Sequence, residues 1–166
     1  MQTADDLSLD NLITLSWMPK VTNGFFLRAE TFFNFAGYID ELGPEVYKYY
    51  GGKSLNQQSH GEAFLSLFMN RFYTKGLYIL DEPEAALSPQ RQLSFLRVIR
   101  DLEIAGKAQF IIATHSPILM AYPNATIYSF DESPIRSIRY FETDHYLITK
   151  RFLNDTEKFL ERLFER

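Results

Sequence analysis

Leu77-Tyr78-Ile79-Leu80-Asp81-Glu82-Pro83-Glu84-Ala85-Ala86-Leu87-Ser88-Pro89 is the stretch whose reading decides the fold. Four unbroken apolar residues ending in Asp81-Glu82 read as a short strand buried on both faces. Ser88 followed by Pro89 is a helix start, with a capping residue and a proline at the first helical position. Leu93, Leu96, Ile99 and Leu102 then carry an apolar stripe to Gly106, which closes the helix. A second buried run, Phe110-Ile111-Ile112-Ala113, ends in Thr114-His115. Strand, helix and strand at this spacing predict a right-handed parallel unit, and with it an α/β sheet flanked by helices.

The flanks extend the pattern. Upstream, residues 25–27 read as a strand and residues 31–42 as a helix ended by Gly43-Pro44. A polar, glycine-containing loop covers residues 47–58. Helical spacing returns over residues 62–73, where Phe64, Phe68 and Phe72 recur every four positions beside Leu65 and Met69. Residues 7–17 are apolar without a clean period and are read as a helix stopped before Pro19. Downstream, residues 127–130 and 135–140 can add strands. Asn154, with Glu157 three residues later, is expected to cap a last helix carrying Phe159, Leu160, Leu163 and Phe164.

The chain has 166 residues, which suits a single domain, and 46% of them are apolar, enough for a core. Seventeen Lys and Arg against 21 Asp and Glu leave a net charge of −4, which does not support nucleic acid as a direct ligand. The absence of cysteine excludes disulfides, thiolate nucleophiles and Cys-ligated zinc. No apolar run approaches the roughly 18 residues of a membrane span. The acidic N-terminus, with Asp5, Asp6 and Asp10, is unlike a secretory leader, so a cytoplasmic location is expected.

Ligands of an open parallel sheet bind beyond the carboxyl ends of its strands. Asp81, Glu82 and His115 all fall there. An apolar run followed by Asp-Glu is the pattern called Walker B. Its aspartate holds a hydrated Mg²⁺ on nucleotide phosphates, and its glutamate orients and deprotonates the attacking water. Ser59-His60-Gly61-Glu62 opens the helix of residues 62–73. A hydroxyl residue and a glycine at a helix start suit a phosphate, although an ordinary N-cap by Ser59 uses the same residues.

In this order the segments resemble the ATP-binding-cassette type of P-loop ATPase: Ser59-His60-Gly61-Glu62 as signature, residues 77–82 as Walker B, Ala85-Ala86-Leu87-Ser88 at the D-loop, and Thr114-His115-Ser116 as the switch histidine. The wording from Leu80 to Gln90 and from Phe110 to Pro117 is similar to small stand-alone bacterial ATPases of the AAA/SMC-like branch, with the match running from about Gly24 almost to the C-terminus. The resemblance implies ATP and Mg²⁺, with Asp81 as the metal carboxylate and Glu82 as the general base. It implies that His115 contacts the γ-phosphate. Ser59, Gly61, Glu62 and Ser88 would then act in trans in a head-to-tail dimer. His60 stands where the signature usually has glycine, and Ser88 where relatives usually have aspartate.

No phosphate cradle of the form G-x-x-x-x-G-K-[ST] occurs. Gly51-Gly52-Lys53-Ser54 has the right ending, but Tyr47 occupies the first glycine position and no buried strand enters the loop. The chain is therefore expected to be the C-terminal portion of one ATPase domain, without the P-loop strand and helix. Residues 1–23 are too few to supply them and match poorly. The missing lobe would come in trans, from a split gene, or from a longer chain of which this is a truncated part. A strand at residues 110–113 would then lack a neighbour, and MgATP would bind weakly to the chain alone. The alternatives are a non-catalytic interaction module and, less consistent with the ligand spacing, a metal-dependent hydrolase using Asp81, Glu82 and His115. His145 reads as a surface or packing residue, and Arg91, Arg97 and Arg100 as the solvated face of their helix.

Overall fold

The computed structural model describes residues 21–71, 75–131 and 133–165, together with Thr14 and Ser16. The helix expected over residues 7–17 and the side chain of Phe72 lie outside what it describes. Three parallel strands form the central sheet in the order β1 (Gly24–Arg28), β2 (Gly76–Asp81), β3 (Ala108–Ala113). Leu27 pairs with Leu80, and Leu80 with Ile112. Between β1 and β2 run α1 (Phe32–Glu41) and α2 (His60–Arg71), and α3 (Pro89–Ile104) crosses from β2 to β3. This is the predicted parallel α/β unit.

The loop of residues 47–58 is more ordered than its composition suggests, with 3-10 turns at Pro44–Tyr49 and Leu55–Gln57. Ser54 is buried there, and its hydroxyl donates to Asp40 Oδ2 at 2.8 Å while accepting from the Asn56 amide. Gly51 and Gly52 take positive φ, which suits glycine at little cost. Gly52-Lys53-Ser54 thus belongs to a tight turn on α1, with no P-loop helix following it.

One face of the sheet is the core. Leu27, Tyr78 and Leu80 are buried with Phe32, Phe64, Leu67, Phe68 and Phe95 of the three helices. The Phe64 and Phe68 ring centroids are 4.7 Å apart, and those of Phe68 and Phe95 4.6 Å. Each such phenylalanine contributes about 2–3 kcal/mol by burial. Ala63, Phe64, Leu67 and Phe68 form the inward stripe of α2, whereas Met69, expected beside them, is exposed.

The other face corrects the expectation of strands buried on both sides. Phe26, Ile79 and Ile111 are in register across all three strands and are 60%, 37% and 52% exposed. Apolar alternation was hidden in the sequence because Leu77 to Leu80 are all apolar, whichever way they point. Among the described residues β3 pairs with β2 alone, leaving its outer edge open. An open edge beside a bare apolar face is a surface that proteins ordinarily cover.

Beyond β3 the chain forms a short helix α4 (Pro117–Met120), then β4 (Ile127–Ser129) and β5 (Arg136–Ile138), which pair antiparallel as a separate hairpin. These two strands do not extend the parallel sheet. Two further helices follow, α5 (Asp144–Asn154) and α6 (Thr156–Phe164). Asp155, not Asn154, caps α6, its carboxylate accepting from the Lys158 amide. Among the described residues no helix is long and apolar enough to cross a membrane.

Candidate functional site

The strand-end residues converge as the sheet geometry requires. Asp81 is the last residue of β2, in register with Arg28 and Ala113. Glu82 then enters the left-handed region (φ 48°, ψ 50°), its amide donating to Ala113 O at 2.9 Å. A non-glycine residue held there costs roughly 1–2 kcal/mol, and such outliers cluster at functional sites. The turn separates the two carboxylates. Asp81 stays on the bare side of the sheet, and Glu82 swings toward β3.

His115 meets Glu82 there. Its Nε2 lies 3.5 Å from Glu82 Oε1, within ion-pair distance when the ring is charged. Its backbone amide donates to Glu84 Oε1 at 2.6 Å, which ties the loop after β3 to the loop after β2. On the far side of the ring, His115 Nδ1 lies 3.0 Å from His145 Nε2. His145, read from sequence as a surface or packing residue, is half-buried and packs against His115. A partner thirty positions away leaves no local pattern to read.

A buried network carries this loop. Ser116 Oγ donates to Gln92 Oε1 and accepts from the amides of Ile118 and Leu119, starting α4. Gln92 in turn donates from Nε2 to Leu87 O at 3.2 Å. Both side chains are buried, at 7% and 8% exposure, so each lost bond leaves an unmet polar group. Gln92 thus couples the segment before α3 to the histidine loop, a role that a polar residue on a helix gives no sign of in sequence.

The expected signature residues form a second group. Ser59 O accepts from the amides of Glu62 and Ala63 to begin α2. The Ser59 hydroxyl does not cap the helix; it donates to Glu62 Oε2 at 2.6 Å, and the Ser59 amide donates to the same oxygen. The Ser59 hydroxyl, followed by its amide, holds the Glu62 carboxyl below its ordinary range. Arg91 corrects the expectation of a solvated helix face. It donates from Nη1 to Ser59 Oγ at 3.0 Å and pairs with Glu62 at 3.3 Å. A Cβ added to Gly61 would stand 2.5 Å from the Arg91 side chain, so the glycine is what admits the arginine. Ser88 lies three residues before Arg91 as the N-cap of α3, its side chain making no capping bond. Among the described residues no hydrogen bond or ion pair joins Ser59, Glu62, Ser88 or Arg91 to Asp81, Glu82 or His115.

Asp81 offers a metal ion one carboxylate, and its Oδ2 accepts from Arg28 Nε at 2.8 Å. Both partners are partly exposed, so the pair is worth less than about 1 kcal/mol and is readily exchanged. The described residues include no group of three or more His, Asp or Glu able to hold a metal by themselves. A single carboxylate fits Mg²⁺ of the kind that arrives on nucleotide phosphates and keeps most of its water.

Comparison with known proteins gives a family relationship for part of the chain. A family described as "AAA domain, putative AbiEii toxin, Type IV TA system" matches residues 63–121. The match takes in Asp81, Glu82, Ser88 and His115 and begins just after Ser59-His60-Gly61-Glu62. It supports an AAA-type P-loop ATPase relationship and an ATPase-like nucleotide-binding module, a class that uses nucleotide and Mg²⁺. Protein ea59 of Escherichia phage lambda is 38% identical over 72 residues, covering 41% of this chain and 14% of that protein. The chain therefore corresponds to a small part of that much longer relative.

Proposed function

We propose that the chain is the C-terminal catalytic portion of an ABC/SMC-like ATPase that hydrolyses MgATP once a P-loop lobe joins it. The observation that carries this is the meeting of Glu82 and His115 at the carboxyl end of the sheet, with Glu82 held in a left-handed turn. Asp81 would hold Mg²⁺, releasing Arg28. The Mg²⁺ would supply charge neutralisation at the phosphates. Glu82 accepts the proton of the attacking water, and His115 Nε2 faces the space before Glu82 that a γ-phosphate would enter.

The phosphate cradle is not encoded in these 166 residues, so it comes from another stretch of polypeptide. The open edge of β3 and the bare Phe26/Ile79/Ile111 face suit the docking of such a lobe, whose strand would continue the sheet and whose helix would cover the apolar side. Ser59, Glu62 and Ser88 make no hydrogen bond or ion pair with Glu82 or His115, which leaves them available, with Gly61, for a role in trans on ATP held by a second copy in a head-to-tail dimer.

The Arg28–Asp81 pair favours a second reading, a non-catalytic interaction module, because a protein cation already satisfies the expected metal carboxylate. Hydrolysis separates the two. With a P-loop lobe supplied, the wild-type assembly should turn over ATP, and Glu82→Gln should retain ATP while losing about 10²–10⁴-fold in rate, the usual share of a general base. Unchanged turnover in Glu82→Gln removes Glu82 as the base. No turnover in the wild-type assembly leaves the non-catalytic module.

A further inference from the structure

We propose that His145 is a positioning residue for His115: its Nε2–H donates to His115 Nδ1 and so keeps the His115 proton on Nε2, the nitrogen that faces Glu82. Two imidazole nitrogens 3.0 Å apart are held together by one proton, so the rings must take complementary roles, one donor and one acceptor. Glu82 decides which. Its carboxylate only accepts, and it stands 3.5 Å from His115 Nε2, where a bare lone pair would be repelled and an N–H attracted. With the proton on Nε2, Nδ1 is the acceptor, and His145 must be the donor.

Both rings are held by fixed backbone. Glu84 grips the His115 amide, and Ser116 starts α4 one residue later. His145 is the second residue of α5, whose start is set by Thr143. The buried Thr143 hydroxyl accepts from the Tyr146 amide and donates to Tyr140 O at 2.9 Å. The N-terminal end of α5 packs against α4, which brings the imidazole rings to a centroid separation of 5.0 Å. The donor therefore reaches His115 from an element beyond the matched 63–121 segment. The consequence for chemistry is direct: an Nε2–H offers a hydrogen bond to an anionic oxygen in front of Glu82, whereas the other tautomer would offer it a lone pair.

The chemical consequence rests on the reading of His115 as the phosphate contact; the proton assignment does not, and the test addresses that assignment. The uniformly ¹⁵N-labelled 166-residue chain is examined by long-range ¹H–¹⁵N correlation, with the tautomers read at a pH above which the ring ¹⁵N shifts no longer change. The expected result is a scalar coupling between His115 Nδ1 and His145 Nε2, with the bridging proton on His145 and the other His115 proton on Nε2. His145→Phe should abolish the coupling and shift His115 Nδ1 toward the position of a free acceptor nitrogen. His145→Gln, whose amide can still donate, should restore most of that shift. A bridging proton on His115 Nδ1, the absence of coupling in the wild-type chain, or a His115 spectrum unchanged in His145→Phe overturns the proposal. The wild-type spectrum decides even if the phenylalanine variant fails to fold. Failure of the ATPase reading shows separately, in hydrolysis by the assembly, which these spectra do not measure.

Discussion

Glu82 carries two demands that pull against each other. Its carboxylate has to leave the line of β2 to face His115, and the backbone turn that achieves this puts a residue with a Cβ at φ 48°. Glycine would sit there without that cost. Glu82→Gly should therefore stabilise the chain by about 0.5–1 kcal/mol, the relief of roughly 1–2 kcal/mol less the entropy that glycine adds to the unfolded state. Urea unfolding measures it, and a destabilised glycine variant would show that the turn is relaxed. Asp81 and Glu82 are adjacent in sequence and yet bond to different partners, Arg28 and His115. Their position was legible because an unbroken apolar run fixes where a strand ends. His145 and Arg91 were not, since each gains its meaning from a residue thirty or more positions away.

Elements are joined here by few, specific bonds. Gln92 spans the segment before α3 and the Ser116 loop, and removing its amide would leave Ser116 Oγ and Leu87 O short of a partner in a buried place. Gln92→Ala should lower stability by about 1–3 kcal/mol on that account. Thermal unfolding together with His115 amide exchange would measure it, since exchange should rise at His115 if the loop loosens. Helix ends set a pH dependence as well. The carboxyl groups of Asp40, Glu62, Glu103 and Glu142 are all held below their ordinary values of 3.8 and 4.5. The causes, largest first, are the hydroxyls of Ser54, Ser59 and Tyr122 for the first three and the Arg139 side chain for Glu142. A depressed folded pKa stabilises above the unfolded value and loses that contribution as pH falls through the folded one. Melting temperature should thus be level from neutrality to about pH 5 and fall below about pH 4.5; a flat profile to pH 3 would contradict these bonds. The parallel unit was readable from Ser88-Pro89, Gly106 and the two apolar runs, whereas α5 was not, because its half-exposed residues give no buried stripe.

At the scale of the molecule, the described elements cover one face of the sheet. Helices α1, α2 and α3 bury Leu27, Tyr78 and Leu80, while Phe26, Ile79 and Ile111 face outward at the same register. Composition could not distinguish these sets, because a fully apolar strand reads the same whether one face or two are covered. The open face, the open β3 edge and the strand-end trio of Asp81, Glu82 and His115 belong to one account, a catalytic end awaiting a phosphate-binding lobe. Calorimetric titration of MgATP tests it most directly, with the chain alone and with the chain joined to a polypeptide carrying G-x-x-x-x-G-K-[ST]. The account predicts very weak binding to the chain alone and stoichiometric binding by the joined protein. Tight one-to-one binding by the 166-residue chain alone would contradict it.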